Sequence, residues 1–285
     1  MILKWPNKLI NEDGKLEVGK TIAAAFDWLT DAFGAAFDVL ETVLSTSIDG
    51  ALWLLQFPPP FLMVALFAAL TWALQRSFKR TALVALCFAF VINQGYWEEA
   101  TESLALILFA GVFCMGVGVP IGIYAAHRPR FYQWLLPVLD MMQTIPTFVY
   151  LIPMIVLFGI GMVPGLVATF IFVLAAPIRL THLGISRTPV TLIEAARAFG
   201  ATPRQLLWKV ELPSALPQIM AGLNQTIMLS LSMVVIAALV GADGLGVPVV
   251  RALNSVNASL GFESGLVIVA VAIALDRMLR VETKS

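Results

Sequence analysis

The sequence predicts an all-α protein, a polytopic bundle of helices that crosses a membrane. Of its 285 residues, 59% are hydrophobic and 13% are charged, whereas soluble globular chains carry roughly a quarter charged residues and less than half apolar ones. The apolar residues form long runs that short basic loops separate, as expected of membrane spans and their connections. The formal net charge is zero, so the lipid bilayer is the expected partner and nucleic acid is not.

Seven apolar segments are candidate membrane spans, because a helix needs about 20 mostly apolar residues to cross a bilayer. They are Phe61–Gln75, Leu83–Asn93, Leu104–Ala126, Leu135–Phe158, Val163–Leu180, Ile219–Val240 and Leu266–Leu279. Only the short basic stretch 76–80 separates the first two segments, which therefore predict a tight helical hairpin. The fourth segment contains Pro146 and Pro153 and is expected to be kinked or broken.

The residues before the first span predict an amphipathic helix. Between Ile22 and Leu55, apolar residues recur at three- and four-residue steps, with acidic residues on the opposite face. Such a helix lies on the membrane surface or packs against the bundle. We therefore divide the chain into an N-terminal tail with an amphipathic helix (1–57), a transmembrane hairpin (58–96) and a core (97–285) that contains one long polar loop (181–216).

Basic residues are concentrated in alternate loops, which predicts the orientation of the bundle. These residues are Arg76, Lys79 and Arg80, then Arg128 and Arg130, then Arg179, Arg187, Arg197, Arg204 and Lys209, and finally Arg277, Arg280 and Lys284. Because positive charge favours the cytoplasmic side, the polar loop and the C-terminus are expected in the cytoplasm. Seven spans then place the N-terminus outside, although Lys4, Lys8, Lys15 and Lys20 oppose that placement.

The polar loop predicts two short helices around a glycine turn. Either Thr188-Pro189 or a capping box at Thr191–Glu194 starts the first helix. Gly200 suits the left-handed residue that closes it. Thr202-Pro203 repeats the start signal, and the second helix, Arg204–Leu212, is expected to stop before the next proline. This pattern fits both a docking surface for a partner and an interfacial loop that only caps the bundle.

The same loop resembles the "EAA" loop of ABC importer permeases. Glu194-Ala195-Ala196, Gly200 and Val210-Glu211-Leu212-Pro213 match the family's Glu-Ala-Ala…Gly…Ile-x-Leu-Pro pattern, with Val210 in place of the usual isoleucine. The runs 137–153 and 241–246 resemble, more specifically, permeases for glycine betaine, proline betaine and choline. The resemblance extends from about Trp97 to the end of the last span.

This resemblance implies an ABC importer permease fold in a bacterial inner membrane. Two copies would form the pore, two cytoplasmic ATPase subunits would bind beneath it, and a periplasmic or extracellular binding protein would deliver the solute. The implied ATPase-coupling residues are Glu194, Ala195, Ala196, Gly200, Val210, Leu212 and Pro213. ATP and magnesium would bind to the ATPase, so neither a cofactor nor a catalytic site is expected on this chain. The implied solutes are glycine betaine, proline betaine or related quaternary ammonium compounds, with choline or carnitine as the alternative.

The fourth segment carries polar and aromatic side chains that are candidates for the translocation pathway. They are Asp140, Met141, Gln143, Thr144, Phe148 and Tyr150. Polar groups at membrane depth are costly and tend to face a cavity or a partner helix, and aromatic rings attract methylated ammonium groups. The alternative is that Asp140 pairs with Arg128 or Arg130, while Met141 and Phe148 contact lipid.

Other classes of function have weaker support in the sequence. A secondary transporter would need paired carboxylates near the middle of a span, and a membrane enzyme would need a metal or nucleophile motif; we find neither. Two cysteines and two histidines (Cys87, Cys114, His127, His182) form no ligand cluster. Residues 14–21 match the phosphate-binding pattern G-x-x-x-x-G-K-[ST], but no buried strand precedes them, so no nucleotide site is expected.

Overall fold

The computed structural model describes residues 18–279, and every regular element among them is helical. The helices are α1 (Val18–Gln56), α2 (Pro60–Gln75), α3 (Phe78–Asn93), α4 (Trp97–His127), α5 (Pro129–Thr144), α6 (Thr147–Phe158), α7 (Met162–Val173), α8 (Ala175–Ser186), α9 (Val190–Ala198), α10 (Pro203–Leu206), α11 (Leu212–Ala237), α12 (Gly246–Asn254) and α13 (Ala258–Leu279). A π-helical turn, Leu207–Glu211, joins α10 to α11, and a 3-10 turn, Ala238–Val240, follows α11.

Four stretches of helix are long and apolar enough to cross a membrane. They are Trp97–His127, Met162–Ser186, Pro203–Val240 and Ala258–Leu279. Two pairs of helices are also long and apolar enough together, but α1 bends by 98° from α2, and α5 bends by 94° from α6. Residues 18–279 therefore contain four candidate spans, or up to six if each bent pair is one span. The count of seven stays a prediction.

The bend between α5 and α6 is caused by Pro146. The preceding residue, Ile145, has an extended backbone with ψ 129°, because proline disfavours the helical conformation in the residue before it. Pro153 lies inside α6, so the predicted break is present at the first of the two prolines. The Tyr150 hydroxyl donates a hydrogen bond to the carbonyl oxygen of Met142 at 2.8 Å, which links the two helices across the bend.

Small residues allow α4, α8 and α11 to pack closely at the centre of the bundle. A Cβ atom added at Gly122 of α4 would lie 2.6 Å from Cβ of Thr181 in α8. Gly184 of α8 makes a similar approach to α11, where its added Cβ would lie 3.0 Å from Cβ of Ala215. Membrane helices associate largely through such backbone contact. Helix α8 thus connects α4 with α11, the two helices that border the candidate site.

The predicted amphipathic helix is present as the 39-residue α1. It packs against α4, α6 and α7, with an edge-on contact between Phe37 and Phe158 whose ring centroids are 5.6 Å apart. Gln56 Nε2 donates to Thr101 Oγ1 of α4 at 2.9 Å. Contact with the bundle is therefore the alternative that the structure favours for this helix.

Helices α2 and α3 form the expected hairpin and pack against α13. Phe67 and Phe88 stack between the two helices, with ring centroids 4.8 Å apart. Gln75 Nε2 at the end of α2 donates to the carbonyl oxygen of Met278 at 2.8 Å. The hairpin therefore extends the side of the bundle that α13 forms.

Buried polar contacts fasten the start of α4 to the chain around α12 and α13. The backbone N–H of Leu245 donates to Ser103 Oγ at 2.8 Å. Gly244 has φ +122°, and a Cβ atom there would lie 2.6 Å from the same oxygen, so only glycine fits this approach. Burial raises the pKa of Tyr96 to about 12, and its hydrogen bond to Glu263 of α13 acts in the same direction. The phenol therefore stays protonated at neutral pH and donates to Glu263.

Candidate functional site

The predicted coupling residues lie in one segment, residues 188–213, which we term the coupling segment. Its first helix, α9, ends in a Schellman motif: the N–H of Gly200 donates to the carbonyl oxygen of Arg197, and the N–H of Ala201 to that of Ala196. Gly200 has φ +78°, and no atom of the described residues outside its own turn lies within 4 Å of an added Cβ. The left-handed role predicted for Gly200 is thus confirmed, and the conformation of its backbone, not lack of space, requires glycine.

The start of α9 differs by one residue from the prediction. Pro189, not Thr188, occupies the position before the helix, and no side chain caps it. The capping box expected at Thr191 and Glu194 is therefore not formed. Thr188 is buried, and its hydroxyl has no hydrogen-bond partner among residues 18–279.

The second half of the coupling segment starts as predicted but does not end as predicted. Thr202 and Gln205 form a capping box, in which each side chain bonds the backbone N–H of the other. The helix then continues through the π turn into α11, so Pro203–Val240 is continuous for 38 residues. The stop expected before Pro213 was wrong. Proline removes one N–H and crowds the carbonyl four residues back, and the wider π turn accommodates it, with the N–H of Leu212 bonded to the carbonyl of Leu207.

The coupling segment exposes apolar side chains that a solvated loop does not require. Phe199 is 92% exposed and Trp208 is 70% exposed. The other predicted coupling residues divide into two groups: Glu194, Ala195, Gly200 and Pro213 are exposed, whereas Ala196, Val210 and Leu212 are half-buried. Helix α9 contacts α10 and the π turn, so both parts of the sequence motif belong to one surface. An exposed apolar patch of this kind is typical of a docking surface.

The coupling segment also contains a buried charged residue that was not predicted from the sequence. Glu211 is 6% exposed, and its Oε2 lies 2.9 Å from Nε2 of His127 at the end of α4. The other ring nitrogen of His127, Nδ1, lies 2.8 Å from the carbonyl oxygen of Ile123. The only sequence signal was a charged residue between the aliphatic Val210 and Leu212. In contrast, the side chain of Glu194 has no hydrogen bond or ion pair within residues 18–279.

An apolar groove separates the last turns of α4 from the start of α11. Its volume is about 870 Å³, and its walls include Val119, Ile123 and Tyr124 from α4 and Leu216 and Ile219 from α11. His127, Leu207 and Trp208 also line it. The pair His127–Glu211 thus spans α4 and the coupling segment beside a groove where the two helices do not fill the space between them.

The candidate pathway residues lie on both sides of the bend between α5 and α6. Asp140 Oδ1 accepts a hydrogen bond from Nη2 of Arg179 in α8 at 2.6 Å. Asp140 therefore pairs with a different arginine from the two expected as alternatives. Met141 and Phe148 are exposed at 60% and 56%. Gln143 is half-buried, Thr144 is exposed and donates to the carbonyl of Met141 at 3.3 Å, and Tyr150 bonds across the bend.

A family model described as "Binding-protein-dependent transport system inner membrane component" matches residues 118–280, more than half of the chain. The chain belongs to this family. The match begins in α4 and includes the whole coupling segment of this permease. The recognition made from the sequence motifs is thus confirmed, and the permease is a multi-pass membrane protein of an ABC importer family, whose members work with an ATPase and a substrate-binding protein.

Individual relatives are similar over most of the permease. It is 46% identical over 263 residues to the "Glycine betaine transport system permease protein OpuAB" of Bacillus subtilis (strain 168), covering 91% of this chain and 93% of the relative. It is 44% identical over 258 residues to the "Glycine betaine/proline betaine transport system permease protein ProW" of Escherichia coli (strain K12), covering 90% of this chain and 72% of the relative. It is also 41% identical over 269 residues to the "Glycine betaine/carnitine transport permease protein GbuB" of Listeria monocytogenes serotype 1/2a (strain 10403S), covering 92% and 95%.

A solved structure supports the same fold for the permease. A chain of the MetNI methionine ABC transporter, in inward-facing conformations, is 28% identical and superposes with a TM-score of 0.55. The similarity covers 63% of this chain and 92% of that chain. The all-α importer permease fold expected from the sequence is therefore confirmed. Within the described residues of the permease, no group of three or more His, Cys, Asp or Glu residues could hold a metal ion.

Proposed function

We propose that the permease is the membrane subunit of an ATP-driven importer for glycine betaine, proline betaine or related quaternary ammonium compatible solutes. The names of relatives at 46% and 44% identity support this solute class. The name of a third relative, a glycine betaine/carnitine permease at 41% identity, supports carnitine as the alternative. An external binding protein delivers the solute, and a separate ATPase binds ATP and magnesium, so the permease itself carries no catalytic site.

The observation that carries the proposal is the continuity of the coupling segment with α11. The exposed side chains of Phe199 and Trp208 offer an apolar surface to the ATPase. The helix Pro203–Val240 is unbroken for 38 residues, so displacement of this surface moves a membrane helix directly. ATP hydrolysis drives alternating access when movement of the ATPase changes the arrangement of the membrane helices. A continuous helix from the coupling segment into the membrane provides such a connection.

The proposed assembly contains two permease copies and two ATPase subunits in the bacterial inner membrane. The basic loops, including Arg197, Arg204 and Lys209 of the coupling segment, support a cytoplasmic position for that segment. With the seven spans expected from the sequence, the C-terminus then lies in the cytoplasm and the N-terminus outside. Symmetric pairing of two copies is the commonest arrangement of homo-oligomers.

The translocation pathway is proposed to pass the bend between α5 and α6. Met141 and Phe148 are exposed on the two sides of this bend, and Tyr150 holds the bend together. Aromatic faces attract quaternary ammonium groups without requiring a hydrogen bond. Gln143 and Thr144 supply polar groups at the same level. Asp140 is neutralised by Arg179, so in this proposal it positions α5 against α8 and does not bind the solute.

Reconstitution into proteoliposomes tests the function. Permease, ATPase and binding protein are combined, and uptake of radiolabelled glycine betaine, proline betaine, choline and carnitine is measured with and without ATP. We expect ATP-dependent uptake of at least one of these solutes and none without the ATPase. Uptake driven by an ion gradient in vesicles that lack the ATPase would identify a secondary transporter instead.

A further inference from the structure

We infer that His127 and Glu211 form a polar joint through which the coupling segment moves α4 together with α11. The inference rests on the proposed function, because it concerns how movement of the ATPase reaches the membrane helices. The two residues are positioning residues: neither is proposed to contact the solute or ATP. They belong to α4 and to the last position of the π turn, 84 residues apart in the chain.

Both nitrogens of the His127 ring face hydrogen-bond acceptors. Nδ1 lies 2.8 Å from the carbonyl oxygen of Ile123, and Nε2 lies 2.9 Å from the Glu211 carboxyl group. A backbone carbonyl oxygen only accepts hydrogen bonds, so Nδ1 donates to Ile123 and Nε2 is left to contact the Glu211 carboxyl group. Contacts at both ring nitrogens therefore fix the orientation of the ring.

Because Glu211 is buried, it depends on His127 as its hydrogen-bond partner. A carboxylate that is 6% exposed is strongly unfavourable without a partner, because burial removes its hydration. Residues 18–279 provide no other side-chain partner for Glu211. Separation of Glu211 from His127 therefore costs free energy, and this cost favours movement of α4 together with the coupling segment.

The π turn places Glu211 where it can reach α4. A π turn contains more residues per turn than an α-helix, so each side chain after it is rotated about the helix axis. Turns of this kind occur frequently at functional sites. In the permease the turn ends at Glu211 itself. The irregularity that accommodates Pro213 thus also directs the one buried carboxylate of the coupling segment toward His127.

Near His127 and Glu211, the remaining contact between α4 and α11 is apolar, and it leaves space between the two helices unfilled. The groove of about 870 Å³ lies between the last turns of α4 and the start of α11. Within the described part of the chain, His127–Glu211 is the side-chain hydrogen bond that joins α4 to Pro203–Val240. Without it, only apolar contacts and the shared packing against α8 link the two helices within residues 18–279, so we expect α4 to follow the coupling segment less closely than α11 does. ATP hydrolysis would then continue with less solute moved for each ATP.

The test measures solute uptake and ATP hydrolysis in the same proteoliposomes, with the complete importer. Glu211→Leu and His127→Phe remove the joint. We expect each to lower the number of solute molecules imported per ATP by about tenfold, within the usual range of coupling between sites. Glu211→Gln and His127→Gln retain a hydrogen bond without the charge, and we expect them to keep a ratio close to that of the unchanged permease. Arg130→Gln removes a charge near the same end of α4 and serves as the matched control.

The exchange of the two side chains provides the decisive comparison. We expect the double variant His127→Glu with Glu211→His to recover most of the import per ATP that either apolar variant loses, because double-mutant cycles isolate pair interactions. If the apolar variants do not assemble, the same exchange is expected to restore assembly. An unchanged ratio in both apolar variants, or no recovery in the exchanged variant, would overturn the inference. The proposed function fails separately, if the unchanged permease shows no ATP-dependent uptake.

Discussion

At the scale of single residues, the coupling segment depends on backbone conformation at Gly200. The residue is in the left-handed region, with φ +78°, and is surrounded by open space. A residue with a Cβ atom pays roughly 1–2 kcal/mol in this region, although asparagine adopts it more readily. The cost therefore reflects the turn itself and not a collision with a neighbour.

The first prediction follows from this difference. We expect Gly200→Val to shift the angle between α9 and α10 and to reduce ATP-dependent uptake strongly, while the permease still inserts into the membrane. Gly200→Asn, the matched control, should retain most of the uptake, because asparagine tolerates a positive φ. Uptake is measured at equal amounts of membrane-inserted permease. If Gly200→Val retains as much uptake as the unchanged permease, the conformation of this turn is not required for coupling.

The second prediction separates two roles for Asp140. If it positions α5 by pairing with Arg179, at 2.6 Å, then Asp140→Ala lowers uptake and the exchange of both side chains, Asp140→Arg with Arg179→Asp, restores it. Arg179 Nε is buried and has no partner in the part of the chain that the structure describes, so loss of the carboxylate leaves the guanidinium poorly satisfied. If Asp140 instead binds the solute, the exchanged variant stays inactive. Uptake assays on these two variants and on the unchanged permease distinguish the outcomes.

At the scale of elements, the helices that border the coupling segment depend on glycine contacts. Gly122 of α4 faces Thr181 and the carbonyl oxygen of Ile178, which would lie 2.6 Å and 2.8 Å from an added Cβ atom. For Gly116, in the same helix, an added Cβ meets no neighbour within 4 Å among the residues that the structure describes. A substitution at Gly122 therefore tests the packing of α4 against α8, whereas the same substitution at Gly116 tests only the helix propensity of the residue.

The third prediction uses this pair of glycines. We expect Gly122→Ala to destabilise the permease by about 1–3 kcal/mol, as typical of overpacked sites, because the backbone of α8 must move away. Gly116→Ala should leave stability unchanged or raise it, since alanine favours a helix more than glycine does. Thermal unfolding of the purified permease in detergent measures both effects. A lower unfolding temperature for Gly116→Ala than for Gly122→Ala would contradict this account of α4–α8 packing.

Local signals in the sequence predicted some parts of these elements and not others. The helix start at Thr202-Pro203 and the left-handed Gly200 were correctly placed because neighbouring residues alone determine them. Pro213 was misinterpreted as a helix stop, because in a membrane helix the freed backbone groups can be satisfied by a wider turn instead of an interruption. The contact between His127 and Glu211 joins residues 84 apart, and no periodicity or spacing records such a pairing.

At the scale of the whole molecule, α11 separates two exposed ends of the permease. The coupling segment precedes α11, with Phe199 92% exposed, and the turn between α12 and α13 follows it, with Val256 90% exposed. Apolar runs and the distribution of lysine and arginine were sufficient to predict a membrane bundle. They did not determine the number of spans, because the 94° bend between α5 and α6 depends on how these helices pack in three dimensions.

The last prediction concerns orientation. Single cysteines are introduced by Phe199→Cys and Val256→Cys, after Cys87 and Cys114 have been replaced by alanine, and intact cells are treated with a membrane-impermeant maleimide. We expect Val256→Cys to react in intact cells, and Phe199→Cys to react only after the membrane is opened, because the basic residues of the coupling segment favour the cytoplasmic side. Both variants must first retain ATP-dependent uptake. Labelling of Phe199→Cys from outside would show that the bundle has the opposite orientation. An ATPase in the cytoplasm could then not reach the coupling segment.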